Sequence, residues 1–381
     1  MASIYIHIPY CRQACYYCNF HFSTSLQTKS ELLDALHLEL IHRKNYLSGE
    51  KISTIYFGGG TPSLLEVDEI KKIIETIDRN YNLEWDKMEI TLEANPDDLK
   101  KEKIQDLYSA GINRLSIGVQ SFFDTDLKTL HRIHNAEQSH QCIQEAQQSG
   151  FDNITIDLIY GVQNQSDDIW MQNLETLKNY NLPHFSAYAL TIEPKTAFEK
   201  MIRQGKITGT DDDQAARQFL VLQQWANEQN YLAYEISNYC KPGHFSKHNT
   251  GYWLGEKYLG AGPSAHSFNT HSRQWNIANN TKYIQSVKNN DPYYEMETLS
   301  DISQYNEYVM TSLRTMWGCD ISLIRDRFGL AFANEITKSS LRYVSDNLLF
   351  KKDHKLLLTL AGKLLADNII SGLFILNDND L

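Results

Sequence analysis

The first 240 residues alternate short apolar runs with longer segments in which apolar residues recur every three or four positions. The apolar runs predict strands at 3–8, 52–57, 88–92, 113–117, 153–159 and 184–190. The helical period predicts helices near 31–46, 67–79, 100–109, 137–149 and 167–179, and Thr28 with Glu31 predicts a capping box before the first of them. Six strand–helix units indicate a parallel sheet with helices outside it, as a partial (β/α)6 barrel; an open doubly wound sheet is the competing architecture.

The remaining third of the chain has a different pattern. Residues 231–290 are rich in Tyr, Trp, His, Asn and Gly and have no clear period. Helical patterns return near 304–316, 333–345 and 361–371, and residues 348–359 alternate like a hairpin with its tip at 352–354. We therefore predict a core domain at 1–235, a connecting region at 236–299 and a C-terminal helical, winged-helix-like domain at 300–381.

Composition and charge restrict the class of protein. The chain has 381 residues, 42% of them apolar, and a formal charge of −11. It has no run of the roughly 20 apolar residues needed to span a membrane, and the N-terminal sequence lacks the basic start and apolar block of a secretory signal. An acidic chain without a long basic run also excludes binding to a nucleic-acid backbone. We expect a cytoplasmic globular protein with no nucleic-acid partner.

The cysteines point to a metal centre. Three of the six, Cys11, Cys15 and Cys18, lie within eight residues directly after the first predicted strand. Three thiolates at this spacing can bind three irons of a [4Fe–4S] cluster and leave the fourth iron open to another ligand. The alternative is a zinc site completed by His7 or His21. We favour the cluster, because zinc knuckles usually need a second ligand pair farther along the chain and the sequence has none.

Glycines and polar residues stand at the ends of the other predicted strands. The run Gly58-Gly59-Gly60-Thr61-Pro62 follows the second strand, and Glu93, Gln120, Asp157 and Tyr188 lie at or within the later ones. The carboxyl ends of parallel barrel strands meet at one rim, where substrates bind. A glycine run there lets a ligand approach the backbone, and we expect it to expose N–H groups to a ligand carboxylate. Each feature alone is typical of a turn or a solvated charge; together with the cysteines they predict a binding site.

The segment Tyr5-Ile6-His7-Ile8-Pro9-Tyr10-Cys11, the cysteine triplet and the glycine run resemble the radical S-adenosylmethionine superfamily, in particular its branch similar to oxygen-independent coproporphyrinogen III oxidase. The resemblance implies a [4Fe–4S] cluster on Cys11, Cys15 and Cys18. It also implies that S-adenosylmethionine chelates the fourth iron and that an electron donor drives cleavage of its sulfonium. The implied contacts of S-adenosylmethionine are Tyr5, Tyr17, Gly59, Gly60, Thr61, Glu93, Gln120, Arg132 and Asp157.

A second resemblance separates the chain from the oxidase. The oxidase carries a further cysteine where this chain has Phe20, whereas the segment from His248 through Tyr252 to Trp253 resembles the H-N-x-x-Y-W signature of the HemW family of heme chaperones. This implies that His248 ligates heme iron and that the two aromatic residues offer flat faces to a porphyrin. Without the resemblance, the chemistry of these residues favours a buried structural cluster, and three nearby histidines compete as ligands: His244, His266 and His271.

The sequence thus predicts a heme chaperone that binds a [4Fe–4S] cluster, S-adenosylmethionine and heme, and passes heme to acceptor proteins such as respiratory enzymes. The alternative is a radical enzyme that oxidatively decarboxylates the propionates of coproporphyrinogen III to give protoporphyrinogen. A zinc-binding interaction module is a third, more distant reading. Transient membrane contact stays open, because recipients of heme often reside in membranes.

Overall fold

The computed structural model describes residues 1–377, so the last four residues of the predicted segment 300–381 lie outside it. The first half alternates strands with helices. The strands are β1 (Ala2–Ile8), β2 (Lys51–Gly59), β3 (Asn82–Leu83), β4 (Glu89–Ala94), β5 (Arg114–Gln120), β6 (Ile154–Tyr160) and β7 (His184–Ala189). The helices are α1 (Lys29–His42), α2 (Val67–Asn80), α3 (Lys101–Ser109), α4 (Asp124–Thr129), α5 (Ala136–Gln148) and α6 (Asp167–Asn179).

Strand order decides between the two predicted architectures. The six longer strands lie side by side in the order β1-β2-β4-β5-β6-β7, which is their order along the chain, and every neighbouring pair is parallel. A doubly wound sheet would reverse this order at a switch point. The predicted partial barrel is therefore confirmed. Its apolar residues, such as Ile6, Phe57 and Leu92, are fully buried in one continuous core.

The predicted capping box at the start of α1 is wrong. Thr28 occupies the N-cap position, but its side chain makes no capping hydrogen bond. The Thr28 hydroxyl lies instead 3.0 Å from the hydroxyl of Tyr10, a residue buried beside the first strand. A reciprocal box does form at α5, where the side chains of Asn135 and Gln138 each accept from the other residue's backbone N–H.

The aromatic-rich region continues the sheet on both sides of the barrel strands. Helices α7 (Ala197–Arg203) and α8 (Asp212–Glu228) lie between β7 and this region. The elements that follow are β8 (Leu232–Ala233), β9 (Asn238–Cys240), α9 (Lys247–Trp253), β10 (Lys257–Ala261), β11 (His266–Phe268), β12 (Ser272–Asn276), α10 (Asn280–Asn289) and β13 (Tyr294–Thr298). Strand β10 pairs in parallel with β1, and β11, β12 and β13 follow it in antiparallel order. On the other side β9 pairs with β7. Strand β1 therefore has a parallel partner on each side.

A buried carboxylate on α1 forms hydrogen bonds with residues at or next to the ends of strands β10 and β12. Glu39 is fully buried and accepts hydrogen bonds from the Asn276 side chain at 2.8 Å, the Tyr283 hydroxyl at 2.6 Å and the Gly262 backbone N–H at 2.8 Å. Arg43, one turn along the helix, lies 3.3 Å from the same carboxylate. A buried charge is tolerated when it is paired and its oxygens are hydrogen-bonded, and Glu39 meets both conditions.

The C-terminal part has a core of its own, built from residues such as Tyr305, Val309 and Ile336. Its elements are α11 (Asp301–Leu313), β14 (Cys319–Asp320), α12 (Ile321–Phe328), α13 (Leu330–Ser345), β15 (Leu349–Lys352), β16 (Lys355–Leu358), α14 (Leu360–Leu364) and α15 (Ala366–Ser371). The three strands form one small sheet that contains the predicted hairpin. Helix α12 was not predicted from sequence, and the predicted closing helix is divided in two. Among residues 1–377 no helix is both long and apolar enough to cross a membrane.

Candidate functional site

The cysteine loop after β1 is fixed at several points. At its base, the Cys11 N–H donates to the Ser23 carbonyl at 3.0 Å. In its middle, the backbone of Tyr16 donates to the Leu130 carbonyl and accepts from the Phe198 N–H. The Tyr16 ring also stacks on His131, with the two ring centroids 4.1 Å apart. The loop is therefore held by segments more than 100 residues away in sequence.

The three thiols share one environment. Cys11, Cys15 and Cys18 all line a cavity of about 420 Å³. The Thr61 hydroxyl donates to Cys11 Sγ at 3.4 Å, and Arg132 Nη1 donates to Cys15 Sγ at the same distance. Burial raises the pKa of the Cys11 thiol to about 11, which the Thr61 hydrogen bond partly offsets, and burial likewise raises the pKa of Cys18. A metal that binds here must displace those protons.

The geometry does not favour the zinc alternative. His7 has both ring nitrogens engaged: Nδ1 lies 3.1 Å from the Tyr5 hydroxyl and Nε2 lies 3.1 Å from the His21 carbonyl. His21 Nε2 in turn lies 2.7 Å from Asn280 Oδ1. Within residues 1–377 no three His, Cys, Asp or Glu side chains are grouped as for a single ion. A four-iron cluster attaches each thiolate to a different iron, so it does not require such a group.

The cavity beside the thiols collects most of the predicted cofactor contacts. Of the nine residues predicted to contact S-adenosylmethionine, eight line it: Tyr17, Gly59, Gly60, Thr61, Glu93, Gln120, Arg132 and Asp157. Tyr5 does not; it lines a neighbouring polar cavity of about 230 Å³ and a third, larger cavity. The structure thus brings eight of these side chains and backbones together with the thiols. That they contact S-adenosylmethionine stays a prediction.

Arg132 forms hydrogen bonds with several of the segments that line this cavity. Its Nη2 donates to Asn95 Oδ1 at 2.6 Å and to the Gly118 carbonyl at 2.8 Å. Asn95 Nδ2 donates onward to Thr61 Oγ1 at 3.3 Å, which links the arginine to the glycine run. Sequence reasoning missed Asn95. Its position one residue after β4 could have identified it, because the other candidate residues also lie at strand ends.

Two carboxylates face the same cavity. Glu93 accepts from the Tyr56 hydroxyl at 2.8 Å and from the Gly59 N–H at 3.1 Å. Burial raises the pKa of Glu93 to about 7, and the nearby charge of Asp157 adds to this rise. Burial also raises the pKa of Asp157, against hydrogen bonds from Ser186 and Ser116. Buried carboxylates of this kind favour a positively charged ligand, because its charge stabilises their ionised forms.

The glycine run packs closely against β1. Gly59 has φ +107°, and a Cβ there would lie 2.5 Å from the His7 ring, so a side chain is excluded by both backbone and space. The Gly60 and Thr61 N–H groups donate to the carbonyls of Ile8 and Tyr10, and the Gly59 N–H donates to Glu93. The expectation that these N–H groups are exposed to a ligand carboxylate is therefore wrong. Those of Gly60 and Thr61 hold the segment that leads into the cysteine loop, and that of Gly59 holds the Glu93 carboxylate.

His248 lies in the first turn of α9 and is buried. Its Nδ1 is 2.7 Å from Thr54 Oγ1 and its Nε2 is 2.8 Å from the Tyr252 hydroxyl, while its ring stacks on Tyr56 with centroids 4.9 Å apart. Burial lowers the pKa of His248 to about 3, so its ring is neutral. Neither nitrogen is free for iron in this arrangement. Its role as a heme ligand stays a prediction, and binding would require one of these hydrogen bonds to break.

The third cavity, of about 1030 Å³, lies where the sheet meets the C-terminal helices. Eight aromatic residues line it: Tyr5, Phe20, Tyr252, Trp253, Tyr258, Phe268, Tyr308 and Trp317. Asn19 and Phe20 of the cysteine loop line both this cavity and the one beside the thiols. Of the histidines that compete with His248, His266 lines the large cavity, whereas His244 and His271 are exposed elsewhere.

Comparison with known proteins agrees with this arrangement. Residues 5–177 match the Radical SAM superfamily, and residues 299–365 match the HemN C-terminal domain. The chain is 32% identical to the heme chaperone HemW of Bacillus subtilis over 371 residues, which cover 97% of this chain and 98% of that protein. It is also 32% identical to the heme chaperone HemW of Lactococcus lactis over 376 residues, covering 99% and 98%.

Among solved structures, the coproporphyrinogen III oxidase HemN of Escherichia coli has a similar fold. The TM-score is 0.84 at 24% sequence identity, and the match covers 98% of this chain and 90% of that chain. At this level of identity the similarity concerns the fold and not the reaction. It includes both the barrel and the C-terminal part.

Proposed function

Since the chain belongs to the HemW family of heme chaperones, we propose that it binds a [4Fe–4S] cluster, S-adenosylmethionine and heme, and transfers heme to acceptor proteins. The observation that carries the proposal is the adjacency of two cavities. One is lined by the three thiols and the other by eight aromatic residues, and Asn19 and Phe20 contribute to both.

The residues around the thiols fit the first two cofactors. Three thiols of one loop, Cys11, Cys15 and Cys18, match the three protein ligands of a cluster with an open fourth iron. When bound, the cluster supplies one electron and an iron site to which S-adenosylmethionine attaches. The cavity of about 420 Å³ is within the usual size of small-molecule sites, and the buried carboxyl groups of Glu93 and Asp157, which line it, would stabilise a sulfonium cation.

The chain's own residues then have distinct tasks. Thr61 and Arg132 each donate a hydrogen bond to a cysteine sulfur, which stabilises the thiolate form that iron requires. Tyr17 lies within the same loop and lines the cavity with its ring, as expected for a residue that packs against an adenine. Gly59 and Gly60 allow the run to pack closely against His7 and the backbone of Ile8 and Tyr10, where a side chain would not fit.

The heme part of the proposal is supported by the large aromatic cavity. Porphyrin is flat and apolar, and aromatic side chains bind such surfaces by stacking and by burial of apolar area. The acceptors we propose are heme proteins such as respiratory enzymes, and an external electron donor would reduce the cluster. Transient contact with a membrane would bring the protein to recipients that reside there.

A transfer experiment tests the proposal against the radical-enzyme alternative. The full chain, with its cluster reconstituted anaerobically, is loaded with heme and mixed with a heme-free acceptor, and heme is followed by its absorption. In parallel the chain is incubated with coproporphyrinogen III, S-adenosylmethionine and dithionite. We expect heme to move to the acceptor and no sustained formation of protoporphyrinogen. Protoporphyrinogen formed over many turnovers would replace the chaperone proposal with the oxidase.

A further inference from the structure

Several large apolar side chains of the large cavity are exposed to solvent. Phe20 is 67% exposed, Leu254 57% and Leu323 42%, and all three line the cavity. Exposed apolar side chains are ordinary when scattered, but several that line one cavity are consistent with an interaction site. The volume of about 1030 Å³ is at the upper end of small-molecule sites. The cavity therefore suits a large flat apolar ligand.

His266 supplies the chemistry that such a ligand could use. It lies on β11, directly across the strand pair from Trp275, and its ring makes no hydrogen bond with any residue of 1–377. Burial, followed by the charge of Arg273, lowers the pKa of His266, so the ring is neutral at physiological pH. Neutral imidazole is the form that binds a metal.

The other histidines near the cavity are already engaged. His7 is hydrogen-bonded at both ring nitrogens, and His21 is bonded to Asn280. His248 is bonded to Thr54 and Tyr252 and lies outside the large cavity. Of the three histidines that line the cavity, His266 is the one whose ring forms no hydrogen bond with residues 1–377.

Charge at the cavity complements a dianionic ligand. Three cations line it: Arg273, Arg327 and Lys355. Two carboxylates also line it, but Glu307 is paired with Arg273, and Asp320 accepts from the Ser322 and Leu323 backbone N–H groups. Arg327 donates to the neutral Gln304, and Lys355 forms no ion pair within residues 1–377. Two cations are therefore available in a chain whose net charge is −11.

We propose that heme binds in the large cavity, with His266 rather than His248 as its axial ligand and with the heme propionates directed to Arg327 and Lys355. The inference rests on the proposed function, since it specifies where the heme sits and what holds its iron. The aromatic side chains of Tyr252 and Trp253 then form part of the wall around the porphyrin, and His248 holds that wall in place through its bond to Tyr252.

Heme titration of the full chain tests the ligand. Ferric heme is added to the wild type, His266→Ala, His248→Gln and the control His271→Ala, and the Soret band is recorded at each step. His271 is an exposed histidine five residues away that lines none of the three cavities. We expect His266→Ala to bind heme at least tenfold more weakly and with a shifted Soret band. We expect His248→Gln and His271→Ala to keep the wild-type spectrum.

Chemical rescue separates a ligand from a structural role. Added imidazole should restore the wild-type Soret band to His266→Gly, because it can occupy the space left by the side chain. Loss of binding in both His266 and His248 variants without this rescue would overturn the inference. So would a normal titration of His266→Ala, whether or not His248→Gln fails. In those cases the chaperone proposal stands, whereas a wild-type chain that binds no heme overturns both.

The propionate contacts have an independent readout. The double variant Arg327→Gln/Lys355→Gln should weaken heme binding several-fold and leave the Soret position unchanged, since the iron ligand is intact. A control pair, Lys338→Gln with Arg325→Gln, removes two exposed cations of the same domain that do not line the cavity. Equal affinities in the two double variants would overturn the assignment of the propionates.

Discussion

Arg132 Nη1 donates to the sulfur of Cys15 at 3.4 Å, although the two residues are 117 positions apart in the chain. The same guanidinium bonds Asn95, Gly118 and the hydroxyl of Tyr17. A permanent positive charge beside a thiol favours its thiolate form. Arg132 therefore connects the cysteine loop to strands β4 and β5 both electrostatically and by hydrogen bonds.

Replacing Arg132 by methionine should weaken the cluster. Loss of a residue that orients a metal ligand typically lowers metal affinity about 10- to 100-fold. We expect Arg132→Met to lose iron and sulfide when the reconstituted protein is challenged with a chelator at concentrations that spare the wild type. Arg132→Lys should recover only part of the loss, because an ammonium keeps the charge but not the planar set of donors. Arg203→Met, which removes an exposed arginine of α7, is the control.

Each of the three loop cysteines should be required. Serine at Cys11, Cys15 or Cys18 should abolish the broad visible absorption that dithionite bleaches, because within residues 1–377 no other cysteine lines the cavity to replace the lost thiolate. Cys240→Ala alters a buried thiol outside the three cavities and should keep the full absorption. A complete cluster in any of the three serine variants would refute the ligand assignment.

Gly59 and Gly49 form a matched pair. Both have positive φ, but a Cβ at Gly59 would lie 2.5 Å from the His7 ring, whereas one at Gly49 would meet no atom within 4 Å. Gly49→Ala should cost about 1–2 kcal/mol of unfolding free energy, from backbone strain alone. Gly59→Ala should cost more and should also reduce cluster content, because His7 and the loop behind it must move. Urea denaturation and iron analysis measure both effects, and equal costs in the two variants would contradict the packing argument.

Glu39 should be among the most sensitive positions for stability. Removing one partner of a buried ion pair typically costs about 3–5 kcal/mol, because the remaining charge is left unpaired. Glu39→Ala would leave Arg43 buried without its carboxylate, and would also remove an acceptor from Asn276 and Tyr283. We expect a loss of that size in urea denaturation. Glu31→Ala, at an exposed position of the same helix, should change stability by less than about 0.5 kcal/mol.

The raised pKa of Glu93 predicts a pH dependence. Its pKa is about 7 in the folded chain against an ordinary value of 4.5, so between these values the folded state binds the extra proton. Stability contributed by this group is therefore lost as pH rises from about 4.5 to about 7. Subtracting the unfolding free energy of Glu93→Gln from that of the wild type isolates the effect from the buried histidines. The difference should decrease across this window, and a flat difference would show that Glu93 titrates normally.

Much of the barrel follows from the sequence because its strands are short, apolar and separated by amphipathic helices. The predicted strand 153–159 lies within one residue of the observed Ile154–Tyr160, and helix 167–179 was predicted at its observed bounds. The strands of the aromatic-rich region could not be found in this way. They are two to five residues long, and the pairing that joins them to the barrel is remote: Gly260 lies opposite Tyr5. The local pattern of apolar and polar residues does not indicate which distant strand will be the partner.

The same division holds at the candidate site. The cysteines, the glycine run and the strand-end residues were identified because their type and spacing suit the chemistry. The hydrogen bonds of His248 could not be predicted, because its partner Thr54 is 194 residues away in the chain. The N–H groups of the glycine run were misjudged for the same reason. Their acceptors are the Ile8 and Tyr10 carbonyls and the Glu93 carboxylate, and only the folded chain brings these groups together.

Asn19 and Phe20 form a shared wall between the cavity beside the thiols and the aromatic cavity. A ligand that orders this wall from one side changes the surface offered on the other side. By thermodynamic reciprocity, any factor by which an assembled cluster alters the affinity for heme must equal the factor by which heme alters the affinity for the cluster. Loading and release of the two groups would then be coupled through two residues of one loop, and substitution of Phe20 would tune that coupling without removing a ligand of either.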